Sequence, residues 1–426
     1  MTYMPLELRL PRATSPRDLP TSDSLDVETA RQLILAGVVP LSEPEQVPVG
    51  EATGRIAANN VVSPAALPRF DNSAMDGYAL HATDLMATGP LAIGGRVQAG
   101  QSDLPALLPG TVVRVTTGAA VPPGTAAVVP DEYVDLIRWA GVRMRRLAAP
   151  GANIRRRGED TLQGDILIKA DTRIDARHLA IMRAAGVPVV SVRRRPRVAL
   201  LSVGNELVEA ADEPGSGQIV DVNRILLNSF LAAGGADVID LGIAGDSVNA
   251  LAQHLRALTD VDMLITTGGI AGSECDITAK GVEAIGGAVF GLHLNLKPGR
   301  SMAFGRLGRI RTLHLPGNPI AALVTAQLFT MPMLNVLAGN LMAERTDIAT
   351  SGETLRHRQG RTEFVLAKLI DRSDGSARVA VRAGKNSSSN LQSLCAADGF
   401  LRISAEMGDV LPGEALRFHS LECAFR

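Results

Sequence analysis

Four short segments of the chain combine glycine with acidic or small polar residues directly after apolar runs of strand-like composition. They are Gly204-Asn205-Glu206-Leu207, Gly245-Asp246-Ser247, Thr266-Thr267-Gly268-Gly269-Ile270-Ala271-Gly272-Ser273-Glu274-Cys275-Asp276 and Pro316-Gly317-Asn318-Pro319. Glycine lets backbone N–H groups approach a ligand closely, and successive N–H groups near a helix N-terminus bind anions. A turn from a strand into a helix uses glycine in any case, but four repetitions of the pattern favour an anion-binding site.

Three carboxylates in these segments, Glu206, Asp246 and Asp276, would stand beside that anion site. Acidic side chains next to a phosphate are useful when a divalent cation lies between them, or when they act as general acids or bases. Two simpler interpretations remain open. The alternative for Asp246 is the N-cap of a helix, and the alternative for Glu206 is a solvated loop residue.

A rigid turn, Lys297-Pro298-Gly299-Arg300, adds two cations that we expect at the same edge. Lysine provides a point charge and arginine a planar fork, and both bind phosphate or another oxyanion. The alternative interpretation is a solvated surface turn.

Two polar motifs stand earlier in the chain. They are Asp71-Asn72-Ser73-Ala74-Met75-Asp76-Gly77-Tyr78 and Arg155-Arg156-Arg157-Gly158-Glu159-Asp160. By itself the first is explained by a turn in which Asp or Asn side chains bond to the backbone. The second is either an exposed ion-pair cluster or a further contact for an anion.

The elements that position the four glycine segments alternate between strands and helices after Pro196. Strands are predicted over 197–203, 237–243, 262–267, 288–296 and 310–315, and helices over 223–233, 248–258 and 277–285. This alternation predicts a parallel, doubly wound α/β sheet. Ligands of such sheets bind beyond the carboxyl ends of the strands, where the four segments would meet.

The residue patterns along the whole chain predict an α/β protein of several domains. We expect a disordered tail over residues 1–22, a discontinuous linker domain formed by 23–60 and 148–195, and a β domain inserted between them over 61–147. The α/β sheet domain covers 196–345, and a small carboxyl-terminal β-barrel covers 346–426.

Composition excludes several classes of function. The 426 residues have a formal net charge of -1 and only 3% aromatic side chains, so there is no global field or stacking surface for nucleic acid. Cys275, Cys395 and Cys423 form no CxxC pair, and the amino terminus has no apolar core of a signal peptide. The most apolar stretch, 313–337, is interrupted by prolines and polar residues. We therefore expect a soluble cytoplasmic protein with no nucleic-acid or membrane partner.

The order of the motifs resembles one family. The segments 71–78, Thr117-Gly118, 154–160, 266–269, 297–300 and 315–319 occur as in the MoeA family of molybdopterin molybdenumtransferases, the bacterial relatives of the gephyrin E domain. The resemblance runs from about Ser24 to the end of the chain.

The resemblance implies an activity in molybdenum cofactor biosynthesis. Such enzymes take adenylylated molybdopterin and molybdate, require Mg²⁺, release AMP and place molybdenum on the pterin dithiolene. It also implies a homodimer whose site lies between the sheet domain of one subunit and the β insertion of the other. Transient contacts with molybdopterin adenylyltransferase and with molybdoenzymes are a further expectation.

The resemblance also implies roles for individual residues. Catalytic roles fall to Glu206, Asp246, Asp276, Lys297 and Arg300, and the three acids are the expected metal ligands. Expected substrate-binding residues are Asp76, Thr117, Arg155, Asp160, Thr267, Gly268, Gly269, Ser273, Pro316, Gly317, Asn318, Pro319 and Ser388.

A second hypothesis belongs to another class of function. The family usually reads Val-Ser-Val-Gly-Glu where this chain has Ile270-Ala271-Gly272-Ser273-Glu274. A paralogue weakened in this way would bind molybdopterin or a partner protein as a scaffold or carrier.

Overall fold

The computed structural model describes residues 24–269, 277–340, 347–370, 378–384 and 389–421. The chain divides into two compact units at Glu43 and Arg193. We call residues 44–192 the β unit. The described residues on either side of it form the sheet–barrel unit, which begins with helix α1 (Val27–Leu35).

The described part of the β unit consists of twelve strands and one α-helix. They are β1 (Pro44–Pro48), β2 (Val61–Val62), β3 (Asn72–Ser73), β4 (Gly77–His81), β5 (Ala92–Val97), β6 (Thr111–Val115), β7 (Thr125–Pro130), β8 (Val134–Ile137), β9 (Gly141–Met144), β10 (Ile154–Arg155), β11 (Ile166–Ile168), α2 (Ala176–Ala185) and β12 (Val189–Arg193). Short 3₁₀ turns cover Val49–Glu51, Ala82–Asp84 and Asp131–Tyr133.

The β unit has two kinds of core. Strands β5, β6, β4 and β7 form a four-stranded sheet, and apolar residues pack on both of its faces. A separate core joins residues of 47–61 to residues of 168–192. Helix α2 borders this second core; it begins at an Asp175–His178 capping box and ends at Gly186, whose φ of 88° suits glycine.

The sheet–barrel unit contains the remaining described elements. They are β13 (Arg197–Val203), β14 (Leu207–Val208), β15 (Ile219–Val220), α3 (Asn223–Ala233), β16 (Asp237–Ala244), α4 (Val248–Arg256), β17 (Met263–Thr267), α5 (Ile277–Glu283), β18 (Ala288–His293), β19 (Leu296–Lys297), β20 (Ser301–Leu307), β21 (Ile310–Leu315), α6 (Pro319–Thr325), α7 (Met331–Leu337), β22 (Asp347–Ser351), β23 (Thr362–Ile370), β24 (Val379–Arg382), α8 (Leu391–Cys395), β25 (Gly399–Ile403) and β26 (Ala415–Ser420).

Six strands form the main sheet in the order β16-β13-β17-β21-β20-β18. The first four run parallel, which confirms the predicted α/β class, whereas β20 and β18 are antiparallel. Strand β20 was not predicted. It forms a hairpin with β21 in which Leu307 pairs with Ile310, so Gly308 and Arg309 make a two-residue turn.

Helices cover both faces of this sheet. Successive residues of a strand point to opposite faces, so Leu200 joins the core on one face and Leu201 the core on the other. Residues of α1, α3, α6 and α7 belong to the first core, and residues of α4 and α5 belong to the second. The sheet is therefore buried on both sides and leaves its strand ends for ligands.

Helix α1 packs in the core of the sheet. Asp26 caps it by accepting the N–H groups of Glu28 and Thr29 at 3.0 Å, and Val27, Ala30 and Ile34 are buried. The predicted discontinuous domain grouped this segment with residues 148–195. The boundaries of that domain stay a prediction, while the described core groups 47–61 with 168–192.

The apolar helix after β21 is a core helix. It continues from α6 through a π-helical turn, Ala326–Thr330, into α7. Its 19 residues, Pro319–Leu337, have a mean hydropathy of 1.7, and 78% of them are buried inside the protein. Its length and composition alone would suit a membrane span, but its apolar side chains already pack against the sheet and barrel.

The carboxyl-terminal region is a closed five-stranded barrel, as predicted. The strands follow the order β23-β24-β22-β26-β25, and β25 pairs again with β23. Strand β19 joins this barrel parallel to β23, where Lys297 pairs with Glu363. The Lys297 turn therefore connects β19, on the barrel, to β20 of the main sheet, which begins at Ser301.

Candidate active site

The parallel strands bring their glycine segments to one edge of the sheet. Strands β16, β13, β17 and β21 are adjacent and point the same way, so their carboxyl ends share an edge. Two backbone bonds connect neighbouring ends: Gly204 donates to the Ala244 carbonyl at 3.0 Å, and Gly268 donates to the Leu315 carbonyl at 3.3 Å. The ends of the four strands thus lie together, while residues 270–276 of the third segment lie outside the described residues.

Asp246 is bonded to the neighbouring loop and is not a helix cap. Its backbone N–H donates to Asn205 Oδ1 at 3.0 Å, and its Oδ2 accepts the N–H of Asn205 at 3.1 Å. The cap of α4 is Ser247, whose hydroxyl accepts from Ala250 at 3.0 Å. The N-cap interpretation of Asp246 is therefore wrong, and its second oxygen, Oδ1, remains at the exposed edge.

Glu206 is exposed on the loop after β13, next to Asn205. Its carboxylate lies over Gly204, where an added Cβ would be 2.7 Å from Oε2. The Glu206 carboxylate thus packs directly over the backbone of residue 204. Glu206 and Asp246 stand on adjacent loops that the Asn205 pair joins.

The turn after β17 requires glycine. Gly268 and Gly269 have φ values of 83° and 69°. A Cβ on Gly268 would be 2.2 Å from the Val203 carbonyl oxygen, so no other residue fits there. The Gly268 N–H donates to the Leu315 carbonyl, so the N–H of Gly269 is the candidate anion donor of this turn.

A buried side chain joins this turn to the one after β21. Asn223 Nδ2 donates to Thr267 Oγ1 and to the Gly317 carbonyl, both at 2.7 Å. Thr267 Oγ1 in turn donates to the Pro316 carbonyl at 3.1 Å. Asn318 precedes α6 as its N-cap residue, and Pro319 is the first helical residue. The two predicted substrate-binding turns are therefore held together.

The Lys297 turn borders a cationic cleft. Lys297 Nζ forms a 2.9 Å salt bridge with Glu363 Oε1, and the Glu363 side chain is only 6% exposed. The cleft has a volume of about 350 Å³ and is lined by Lys297, Arg356, His357, Arg358, Arg361, Glu363 and Asp409. Its four lysine and arginine side chains face two carboxylates, so the cleft attracts anions. Arg300 is exposed and has no side-chain partner among the described residues.

The β unit brings together some of its predicted residues. Asp76 Oδ1 accepts the Thr117 N–H at 2.6 Å and the Thr117 hydroxyl at 2.9 Å. These two hydrogen bonds lower the pKa of the Asp76 carboxyl. Arg155 lies in β10 opposite Asn72. Asp160 is bonded elsewhere, through its N–H, to the Leu67 carbonyl at 3.0 Å.

The neighbouring Asp71 is an ion-pair partner. It accepts the Arg157 N–H at 2.8 Å and an Arg156 guanidinium N–H at 2.7 Å, and both bonds lower its pKa. This supports the ion-pair interpretation of the arginine cluster for Arg156. Arg155 and Arg157 are exposed.

Three predicted site residues, Ser273, Asp276 and Ser388, lie outside the described residues. Sequence reasoning missed Asn223 and the barrel residues of the cleft. The dense basic run Arg356-His357-Arg358-Gln359-Gly360-Arg361 was a visible signal for the cleft. No local pattern distinguishes Asn223, because its partners are far away in the sequence.

Comparisons with known proteins cover nearly the whole described chain. Three family models match: the MoeA N-terminal region (domain I and II) over residues 25–186, a probable molybdopterin binding domain over 199–336, and the MoeA C-terminal region (domain IV) over 349–421.

Relatives and solved structures agree with these models. A molybdopterin molybdenumtransferase of Haemophilus influenzae is 32% identical over 400 residues, which cover 92% of this chain and 97% of the relative. Molybdopterin molybdenumtransferase 2 of Mycobacterium tuberculosis is 32% identical over 407 residues, with coverage of 92% and 98%. The crystal structure of a molybdopterin biosynthesis MoeA protein from Pyrococcus horikoshii OT3 is similar with a TM-score of 0.78 at 26% identity, covering 93% of this chain and 99% of that one. With its sheet, its barrel and its strand-end motifs in place, the chain belongs to the MoeA family of molybdopterin molybdenumtransferases.

Proposed function

We propose that this protein transfers molybdenum from molybdate to adenylylated molybdopterin and releases AMP. The observation that carries the proposal is the shared strand-end edge, where Glu206 and Asp246 stand on loops next to the Gly268-Gly269 turn. Phosphoanhydride cleavage needs donors for phosphate oxygens and carboxylates that hold a cation or orient water. This edge contains both.

The glycine turns supply the phosphate contacts. The Gly268 N–H already donates to the Leu315 carbonyl, and the prolines of the 316–319 turn have no N–H. The candidate donors at the ends of the adjacent strands β17 and β21 are therefore the N–H groups of Gly269, Gly317 and Asn318. Donors fixed by the backbone cost no reorganisation when negative charge develops on a phosphate. The pterin phosphate and the AMP phosphate are the groups that we expect there.

The carboxylates fit Mg²⁺. The described residues contain no group of three His, Cys, Asp or Glu side chains placed to hold a metal. Mg²⁺ needs fewer protein ligands, because it is commonly bound by one or two carboxylates together with substrate phosphates and water. Asp246 and Glu206 would hold it, with Asp276 as the third acid of the predicted set. When bound, Mg²⁺ would neutralise part of the negative charge of the phosphates.

The cationic cleft suits molybdate. Molybdate is a tetrahedral dianion, and Lys297, Arg358 and Arg361 provide positive charge around a volume of about 350 Å³. The buried Glu363 holds the Lys297 ammonium at the border of the cleft. Charge-assisted hydrogen bonds from these side chains would fix the oxyanion until transfer.

The resemblance supplies the remaining parts of the proposal. The protein acts in the cytoplasm as a homodimer, and Asp76, Thr117, Arg155 and Asp160 of one subunit complete the site of the other. Its direct partners are the small-molecule substrates, and contacts with the adenylyltransferase before it and with molybdoenzymes after it are transient.

The test is AMP release by the purified protein. With adenylylated molybdopterin, molybdate and Mg²⁺, we expect turnover to AMP and formation of molybdenum cofactor. Glu206→Gln and Asp246→Asn should each lower the rate by at least about tenfold, since each removes a charge that faces the phosphates. Glu283→Gln, at an exposed position of α5, is the matched control.

Two results would contradict the proposal. One is tight pterin binding without AMP release by the wild-type protein, which would support the scaffold hypothesis. The other is AMP release that both acid variants leave unchanged.

A further inference from the structure

Asn223 is the buried side chain on which the two substrate-binding turns converge. It is the first residue of α3 and is only 7% exposed. Its backbone is held by Asp221 Oδ1, which accepts the N–H of Asn223 at 3.0 Å and that of Arg224 at 3.3 Å. These two hydrogen bonds therefore fix the backbone from which the Asn223 side chain extends.

The orientation of the Asn223 amide follows from its partners. The Gly317 carbonyl can only accept a hydrogen bond, so the group 2.7 Å from it must be the Nδ2 donor. The Thr267 hydroxyl donates its proton to the Pro316 carbonyl, so its oxygen accepts the hydrogen bond from Asn223 Nδ2. Both donors of the amide are thus used, one on each turn.

The two turns lie close together where Asn223 joins them. A Cβ added to Gly317 would be 3.5 Å from Gly268 Cα, so little space separates the two backbones. A change in the Asn223 bridge would therefore shift one turn against the other.

Two polar atoms next to this bridge have no hydrogen-bond partner in the part of the chain that the structure describes. They are Asn223 Oδ1 and the hydroxyl oxygen of Ser202, which lies opposite Thr267 in the strand register. An unpartnered buried acceptor costs about 1–3 kcal/mol. An aliphatic residue at position 223 would avoid that cost. The asparagine is therefore better explained by its hydrogen bonds to Thr267 and Gly317 than by the stability of the fold.

We propose that Asn223 is a positioning residue for the molybdenum transfer reaction. By fixing the Thr267-Gly268 turn against the Pro316-Gly317 turn, it sets the direction in which the backbone N–H groups of Gly269 and Gly317 meet the substrate phosphates. This inference rests on the proposed function for its substrate. Asn223 does not itself contact the reacting atoms.

The test compares Asn223→Ala with Thr267→Val, because each removes the bond between these two side chains. We expect either variant to raise KM for adenylylated molybdopterin at least tenfold while kcat changes less than threefold, since the carboxylates and Lys297 stay in place. The double variant should be little worse than either single one, as expected for groups that act as one unit. Thr267→Ser, which keeps the hydroxyl, should recover most of what Thr267→Val loses.

The matched control is Asn228→Ala, on the same helix and without a side-chain hydrogen bond among the described residues. It should leave KM unchanged. If Asn223→Ala does not fold, the Thr267→Val and Thr267→Ser pair decides the question in the same assay.

A second readout does not depend on activity. Backbone amides of 266–269 and 317–318 should exchange hydrogen at least tenfold faster in Asn223→Ala than in the wild-type protein. Faster exchange together with an unchanged KM would show that Asn223 has only a structural role and would overturn the proposal. Unchanged exchange in Asn223→Ala would also overturn it. If wild-type protein releases no AMP, the proposed function fails; the positioning inference then stands or falls on exchange and on the affinity for molybdopterin alone.

Discussion

At the scale of single residues, the structure separates side chains that keep the fold from side chains that face the site. Asp71 is engaged by Arg156 and Arg157, whereas Asp246 uses one oxygen on Asn205 and keeps the other at the edge of the sheet. Lys297 was expected beside the anion site at the strand ends. Its half-exposed side chain borders the cleft and pairs with the buried Glu363.

The cleft residues should control the affinity for molybdate. Lys297→Ala and Arg361→Ala each remove one cation from the cleft, and a charge-assisted hydrogen bond contributes about 1.5–3 kcal/mol. We expect the molybdate concentration for half-maximal turnover to rise by at least about tenfold in each variant. The measurement is AMP release or cofactor formation as a function of molybdate.

Arg417→Ala, at an exposed position of barrel strand β26, is the control for a lost arginine. Added salt should weaken molybdate binding to the wild-type protein as well. An unchanged molybdate dependence in both cleft variants would place the oxyanion elsewhere.

At the scale of elements, parallel pairing is what turns four separate glycine segments into one edge. The pairing of β17 with β21 is reinforced by a buried histidine: His314 Nδ1 is 2.9 Å from Thr266 Oγ1, and Nε2 is 3.0 Å from Thr312 Oγ1. Complete burial lowers the pKa of His314 to about 3. The imidazole is therefore neutral in the folded protein at neutral pH.

Burial of His314 should make folding stability depend on pH. Below the ordinary pKa of 6.5, the unfolded chain binds a proton that the folded protein does not bind until about pH 3. The free energy of unfolding should therefore fall as pH drops below 6.5, by at most about 1.4 kcal/mol per pH unit for this one group. At pH 7 and above the effect is absent.

Denaturant unfolding of the wild-type protein and of His314→Asn between pH 7 and pH 5 measures this effect. The variant is expected to be less stable at pH 7, because it loses packing and hydrogen bonds in the sheet. Its stability should nevertheless decline less steeply with acid, by about one proton. Parallel curves for the two proteins would show that His314 is not the group responsible.

At the scale of the whole molecule, the predicted site residues fall into two units. Glu206, Asp246 and Lys297 belong to the sheet–barrel unit, while Asp76, Thr117, Arg155 and Asp160 belong to the β unit. The proposed homodimer assigns the two groups of one site to different subunits. Within the β unit, Asp76 and Thr117 form a preformed pair.

Subunit mixing tests the shared site. Asp76→Ala and Asp246→Ala should each be inactive alone, because each damages every site of its own homodimer. Random mixing of the two after separation of the subunits should restore about a quarter of wild-type activity, since half of the dimers then contain one intact site.

The control mixes two preparations that carry the same substitution, which should regain nothing. Absence of recovery in the mixed sample, with heterodimers present, would mean that both groups act within one chain.

Much of the fold was predictable because its signals are local. Alternating strands and helices after Pro196 identified the sheet, and the strand-like runs after 346 identified the barrel. Strand β20 was not predicted because it is antiparallel and only a two-residue turn, with no helix, separates it from the next strand. Likewise, the sequence predicted α1 as part of a linker domain. Its buried apolar residues belong to the core of the main sheet, which only the structure shows.

The sequence by itself determined the glycine turns and the acids at the strand ends, because a glycine that must adopt a positive φ and a carboxylate after a strand are properties of a few adjacent residues. Parallel strands then necessarily share one edge. Only the tertiary structure decided which distant side chains complete the site. Lys297 meets Glu363 and the barrel arginines, and Asn223 meets Thr267 and Gly317, because packing brings together residues that are 44 to 94 positions apart.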